Sequence, residues 1–246
     1  MSPSSEEQYI EEDIATSAQL QKCDMLAIAA AFFGFLFQNA GILLSSCFKD
    51  QTLVFIIAFL LGICSIGLIL GGYFIGHVQT ALSWSQLIPR ATVKSLQRTI
   101  KIVSYALVGF ILVTTVNLIV VYVFKVDPEA NSQFLIDAFR KGDRVIRVIL
   151  LLEICFAAPV FEELAFRLAL FRWLSGRGLS VMNASLLTSA LFAVAHFLWW
   201  GIPGLFLFSL ILCRVRRQQD IFSCIGVHSL YNFFVALMTL TASELV

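Results

Sequence analysis

The sequence predicts an all-α, polytopic transmembrane bundle of about seven spans, each needing roughly 20 apolar residues. Composition is the first observation. Of 246 residues 59% are hydrophobic and 13% charged, against about 45–50% and about 25% in a soluble domain. The 23 phenylalanines and a mean hydropathy of +0.88 agree. The second observation is a series of long uncharged runs separated by short polar stretches. The third is the placement of a few charged and polar groups inside the later runs. Each ionised group in a bilayer costs at least about 2.5–3.5 kcal/mol on insertion scales, so it is kept where it is paired, wetted or functional.

Residues 1–24 form an acidic polar tail, with Glu6, Glu7, Glu11, Glu12, Asp13 and Asp24 against Lys22. No basic segment precedes a short apolar core, so the tail does not read as a signal peptide; its composition reads as solvated chain. Residues 25–147 hold the N-terminal spans. Met25–Cys47 is the first, and Thr52–Ile75, with glycines that allow close helix approach, is the second. His77 falls at the membrane edge, far from the other polar motifs. Over 79–101 two stripes alternate, Val93, Leu96 and Ile100 against Arg90, Lys94, Arg98 and Lys101. That spacing predicts an amphipathic loop or helix lying at the cytoplasmic interface. Ile102–Phe124 is the third span, and within the mixed-charge loop beyond it a short helix is expected near 133–139.

Residues 148–240 form the polar-bearing core. The fourth span starts at Val148, carries Glu153, meets Pro159, which tends to kink a helix, and runs through Arg167 to Trp173. Val181–Trp199 is the fifth span. Ile202–Cys213 is a short apolar run whose crossing is open, and Ile221–Leu240 is the seventh. Basic residues gather in the loop after the second span, after Trp173 and at Arg214, Arg216 and Arg217, which sets those ends inside. The six cysteines lie scattered with no CxxC pair, so they read as packing residues rather than a disulfide or thiolate framework. No basic tract points to nucleic acid.

The candidate site comes from three of these spans. Glu163 and Arg167 are four apart and share a helix face, which predicts an internal ion pair; Glu162 points about 100° away. His228 and Asn232 are also four apart and are expected to project into one space, with His196 arriving from another helix. A carboxylate and an imidazole can hold a water between them and take its proton. A second imidazole and an amide N–H can stabilise the oxyanion formed when water attacks a carbonyl. Glu162, His196 and His228 are alternatively a donor set for catalytic zinc, although no HExxH spacing supports it. Glu153 reads as a structural carboxylate, near Arg147 or lining a cavity.

The ordered set Glu162-Glu163-x-x-x-Arg167, Phe192-x-x-x-His196 and His228-x-x-x-Asn232 resembles the CAAX-protease and bacteriocin-processing family. These intramembrane proteases include the Ras-converting enzyme and many bacterial relatives. The resemblance implies a helical bundle with a conical cavity open to the cytoplasmic side. It implies that Glu162 and His196 activate water, that Glu163 and Arg167 shape the site, and that His228 and Asn232 form the oxyanion hole. The family has been described both as metalloprotease and as metal-independent glutamate protease, so zinc stays open and no other cofactor is implied. Implied partners are the lipid bilayer and a protein or peptide substrate, including lipid-modified ones, and the short loops favour a bacterial inner membrane. Two other readings fit the same residues: a catalytically silent immunity or partner-binding relative, and a proton-coupled transporter. The latter would call for inverted repeats, and residues 25–124 contain nothing that corresponds to the later motifs.

Overall fold

The computed structural model describes residues 18–35, 51–80, 95–127, 139 and 142–244. Among them there is no strand and there are seven helices. They are α1 (18–35), α2 (Gln51–Thr80), α3 (Ser95–Phe124), α4 (Arg144–Gly176), α5 (Val181–Ala195), α6 (Ile202–Gln218) and α7 (Ile221–Glu244). A single 3₁₀ turn, Trp199–Gly201, leads into α6.

The helix ends obey local chemistry. Asp143 caps α4, its carboxylate accepting from Ile146 N at 2.9 Å. Ser180 does the same for α5 at 3.2 Å from Asn183 N, and Asp220 for α7 at 2.8 Å from Ser223 N. Each side chain satisfies one of the amide donors that a helix start leaves open. Gly178 adopts φ +86° between α4 and α5, a left-handed conformation that glycine takes without a Cβ penalty.

One apolar core joins all seven helices. It runs from Cys23 and Ala27 of α1 through Ile69 of α2, Val113 of α3, Leu168 of α4, Phe192 of α5 and Phe208 of α6 to Val227 of α7. α4 is the centre, packing against α2, α5 and α7, while α3 backs α6 and α7. Ion pairs tie the ends together. Asp24 of α1 is buried against Arg172 of α4 and accepts from Tyr73 Oη of α2 at 2.9 Å. Arg98 of α3 meets the capping carboxylate Asp220 at 2.7 Å.

Large apolar side chains face outward along α2 and α3, among them Leu60, Phe74, Ile111 and Leu118. In water such a surface would be unstable; in a bilayer it is the solvated one. Four helices are long and apolar enough to cross a membrane, over Leu53–Val78, Leu96–Phe124, Trp199–Gln218 and Ile221–Thr241. The chain is an integral membrane protein. The number of crossings stays approximate, because α5 is shorter and α4 carries Glu153, Glu162, Glu163 and Arg167 along its length.

Two sequence expectations shift here. Residues 95–101 are not an interfacial helix of their own: Ser95 opens α3, and Leu96 and Ile100 lie exposed on it like Val108 and Ile111. Nothing between Ser95 and Phe124 breaks a helix, so the stripe extends the span. Residues 79–80 end α2, and 81–94 lie outside the described residues, as do most of the first span's second half and 133–138 of the expected short helix. The run at 202–213 extends to Gln218, with Arg216 and Arg217 in its last turn, which gives it the length to cross.

Candidate active site

The site is organised by irregularities in α4. Two π-helical stretches, Glu153–Ala157 and Glu163–Leu170, flank one α-helical turn, Ala158–Glu162. A π turn inserts a residue, widens the helix and re-aims the side chains beyond it, and such bulges recur at functional sites. Glu162 and Glu163 stand at the junction between the α turn and the second π stretch.

Glu163 and Arg167 are both 0% exposed and form the ion pair that their spacing predicts, Arg167 Nη1 donating to Glu163 Oε1 at 3.1 Å. Arg167 Nη2 donates to Ser209 Oγ of α6 at 2.7 Å. The guanidinium lies over the Phe192 ring, 4.2 Å from its centroid. A buried guanidinium is tolerated because a carboxylate, a hydroxyl and an aromatic face replace its water.

The same Glu163 oxygen holds His228, whose Nδ1 lies 2.8 Å away. A carboxylate only accepts, so the Nδ1 proton is assigned from its partner, and Nε2 is turned toward Glu162. His196 is fixed likewise: Nδ1 lies 2.8 Å from the Phe192 carbonyl oxygen, which also only accepts. Its Nε2 is 3.7 Å from Glu162 Oε2, and that of His228 is 3.9 Å from the same atom. Glu162 Oε2 is buried and has no hydrogen-bond partner. A carboxylate oxygen and two imidazole nitrogens thus converge on one small space at separations too long for direct hydrogen bonds. Exposure rises across it, from 4% at His228 through 19% at Glu162 to 30% at His196, so the space opens on the His196 side.

Asn232 is tied to α4. Its Nδ2 donates to the backbone carbonyl of Ile154, inside the first π stretch, at 2.7 Å. One more N–H on the same nitrogen remains. His196 caps α5, and Phe197 after it takes φ +52° with its side chain 75% exposed. A non-glycine residue there holds strain of order 1 kcal/mol beside the site. Glu153 points at α2: a Cβ built on Gly62 would lie 2.8 Å from its Oε1. Its Oε2 is buried without a partner. His77 sits in the last turn of α2, outside this network.

Sequence reasoning missed Ser209 and Phe208, whose ring is 5.3 Å from that of His228 and stacks on Tyr231 at 4.0 Å. A lone hydroxyl in the apolar run 202–213 was a signal for Ser209. Nothing in the sequence singled out one Phe among so many.

The donor set fits zinc only in part. The two Nε2 atoms face Glu162, with a carboxylate and a carbonyl behind the rings, as the groups that orient metal-bound histidines stand. Yet ligands at about 2.0–2.1 Å from a tetrahedral ion stand about 3.3 Å apart, closer than the 3.7 and 3.9 Å here. Among the described residues no three His, Cys, Asp or Glu side chains group as metal ligands. The residues do not fit the ion as placed, and no step is derived through it.

Residues 144–234 match the family model described as type II CAAX prenyl endopeptidase, Rce1-like. That segment contains all six residues above. No curated protein and no solved structure matches the chain. At the family level, the segment that carries the site is therefore similar to that of CAAX-type intramembrane proteases.

Proposed function

We propose that this chain, Rce1-like over residues 144–234, is an endopeptidase that hydrolyses a peptide bond of a membrane-associated or lipid-modified protein in a bacterial inner membrane. The observation that carries this reading is the convergence of His196 Nε2 and His228 Nε2 on the unpartnered Glu162 Oε2, at 3.7 and 3.9 Å.

A water about 2.8 Å from both Glu162 Oε2 and His196 Nε2 fits across the 3.7 Å gap. It donates one hydrogen to each, which fixes its lone pair toward the substrate. As its oxygen bonds to the scissile carbon, its proton passes to Glu162, the general base. The carbonyl becomes an oxyanion. His228 donates to it from Nε2 while the Glu163 carboxylate holds its Nδ1; the second N–H of Asn232 is the other donor. When the C–N bond breaks, the proton on Glu162 goes to the leaving amine. Glu163 and Arg167 position these groups and do not touch the substrate. Because the site is largely shielded from water, its charges and donors act at low dielectric and count for more than in solution.

A lipid-modified substrate is supported by an apolar cavity of ≈ 500 Å³ between α4 and α7, lined by residues such as Leu152, Cys155, Phe156, Leu230 and Phe233.

The test is cleavage of a panel of prenylated, acylated and unmodified peptides by purified protein in detergent, with products identified by mass. Cleavage at one bond of a lipid-modified peptide supports the reading. Equal cleavage of the unmodified peptides removes the lipid requirement, and no cleavage of any peptide while a second preparation binds one tightly turns the reading to a silent binding protein.

A further inference from the structure

The hydrogen bond from Asn232 to Ile154 has a cause in the sequence of α4. In the first π stretch the amide of Ala158 donates to the carbonyl of Glu153, five residues back. The next amide in that register is the one at position 159, and its acceptor is the carbonyl of Ile154. Position 159 is proline, which has no N–H to give. The carbonyl is left open on a part-buried stretch of an apolar helix, where an unmade hydrogen bond is costly. Asn232 of α7 supplies the missing donor at 2.7 Å.

We infer that Pro159 is a positioning residue for Asn232: by withholding its own N–H it reserves the Ile154 carbonyl, which pins the Asn232 amide and fixes where its second N–H points. Pro159 is itself buried. Asn232 is partly exposed, so without the tie its amide would choose among rotamers. Glu162 lies one turn beyond Pro159 on the same helix. The proline thus sets the π-to-α junction beneath Glu162 and at the same time orders the amide of the opposing helix. The catalytic consequence rests on the endopeptidase reading, in which that second N–H faces the oxyanion; the tie itself does not.

The experiment is a double-mutant cycle on the full-length protein in detergent, with Pro159→Ala, Asn232→Ala and both together, read in two ways. In thermal unfolding, Asn232→Ala orphans the carbonyl and lowers Tm by several degrees. Adding Pro159→Ala restores an N–H in register and recovers most of that loss. A double variant no more stable than Asn232→Ala alone overturns the tie. In cleavage, Pro159→Ala alone lowers kcat about tenfold with KM unchanged, because an N–H at position 159 draws the carbonyl back into its own helix and frees the amide. In the Asn232→Ala background the same change costs nothing further. An equal loss in both backgrounds overturns the positioning role. If the wild-type protein cleaves nothing, the catalytic half falls with the endopeptidase reading, while the unfolding arm still decides the tie.

Discussion

His228 Nδ1 and Glu163 Oε1 are 2.8 Å apart although 65 residues separate them in the chain. The same oxygen accepts from Arg167 at 3.1 Å, so one carboxylate atom orders both the cation on its own helix and the imidazole across the interface. Removing Glu163 therefore has two separable effects. Glu163→Gln keeps the shape but withdraws the carboxylate that orients His228 from behind; kcat is expected to fall about 10–100-fold, as loss of an orienting carboxylate behind a histidine typically does. Steady-state kinetics with an unchanged KM would be the signature. Glu163→Ala also strands Arg167 and should cost roughly 3–5 kcal/mol of stability, the usual effect of breaking a fully buried pair, seen as a lower unfolding temperature.

Arg167 contacts Glu163, Ser209 and the Phe192 ring at once. A lysine carries the charge on a single point and cannot fork between a carboxylate and a hydroxyl while lying flat on a ring. Arg167→Lys is expected to fold but to lose about 1–3 kcal/mol, the cost of a buried group left without its partner. Ser209→Ala should lose a smaller part of the same amount, and the two effects should not add. Unfolding of the single and double variants checks this; full additivity would separate Ser209 from the network.

Asn232→Ala is expected to reduce kcat on the order of 10²–10³, the usual loss for one oxyanion donor. His196→Ala removes the group that orients the water in the proposed reaction and is expected to abolish measurable cleavage. The comparison to make is with Phe197→Gly, which touches no polar group of the site. Glycine relieves the left-handed strain at φ +52°, so Tm should rise by the equivalent of up to about 1 kcal/mol. A fall in Tm would mean that the Phe197 side chain contributes more than the strain costs.

Glu153 and Gly62 form a different kind of pair. The carboxylate lies against a glycine of α2 and has one buried oxygen without a partner. An unpaired buried carboxylate is a liability in a membrane. Glu153→Gln is expected to leave kcat within a few fold of wild type and to leave stability equal or higher. A loss of kcat above about 10²-fold, the scale of acid–base catalysis, would bring Glu153 into the chemistry. Gly62→Ala should be tolerated only with a shift of the Glu153 carboxylate, since a Cβ would meet its Oε1 at 2.8 Å.

Much of this was legible in the residues. Uncharged runs gave the helices, and the i, i+4 rule gave the Glu163–Arg167 pair. The parts that were not legible have physical causes. An apolar helix in a bilayer has no polar face, so its period says little about which side meets which neighbour, and the contact of His228 with Glu163 could not be read from it. The π stretches leave no compositional trace, so the position of Asn232 opposite Ile154 was hidden, although Pro159 marked the place. The stretch 79–101 read as an interfacial loop or helix because basic and apolar residues alternate there. Its described end, 95–101, belongs to α3 because no breaker separates it from the span.

In the proposed reaction, hydrolysis depends on Glu162 taking a proton from water. The single-turnover cleavage rate of Glu162→Gln beside wild type, on a peptide that wild type cuts, with and without a strong chelator, isolates that step. The amide keeps the size and cannot accept the proton. The expected result is a loss on the order of 10³-fold or more, with substrate affinity kept and the wild-type rate unchanged by the chelator. A Glu162→Gln rate within about tenfold of wild type would contradict the assignment of Glu162 as the base.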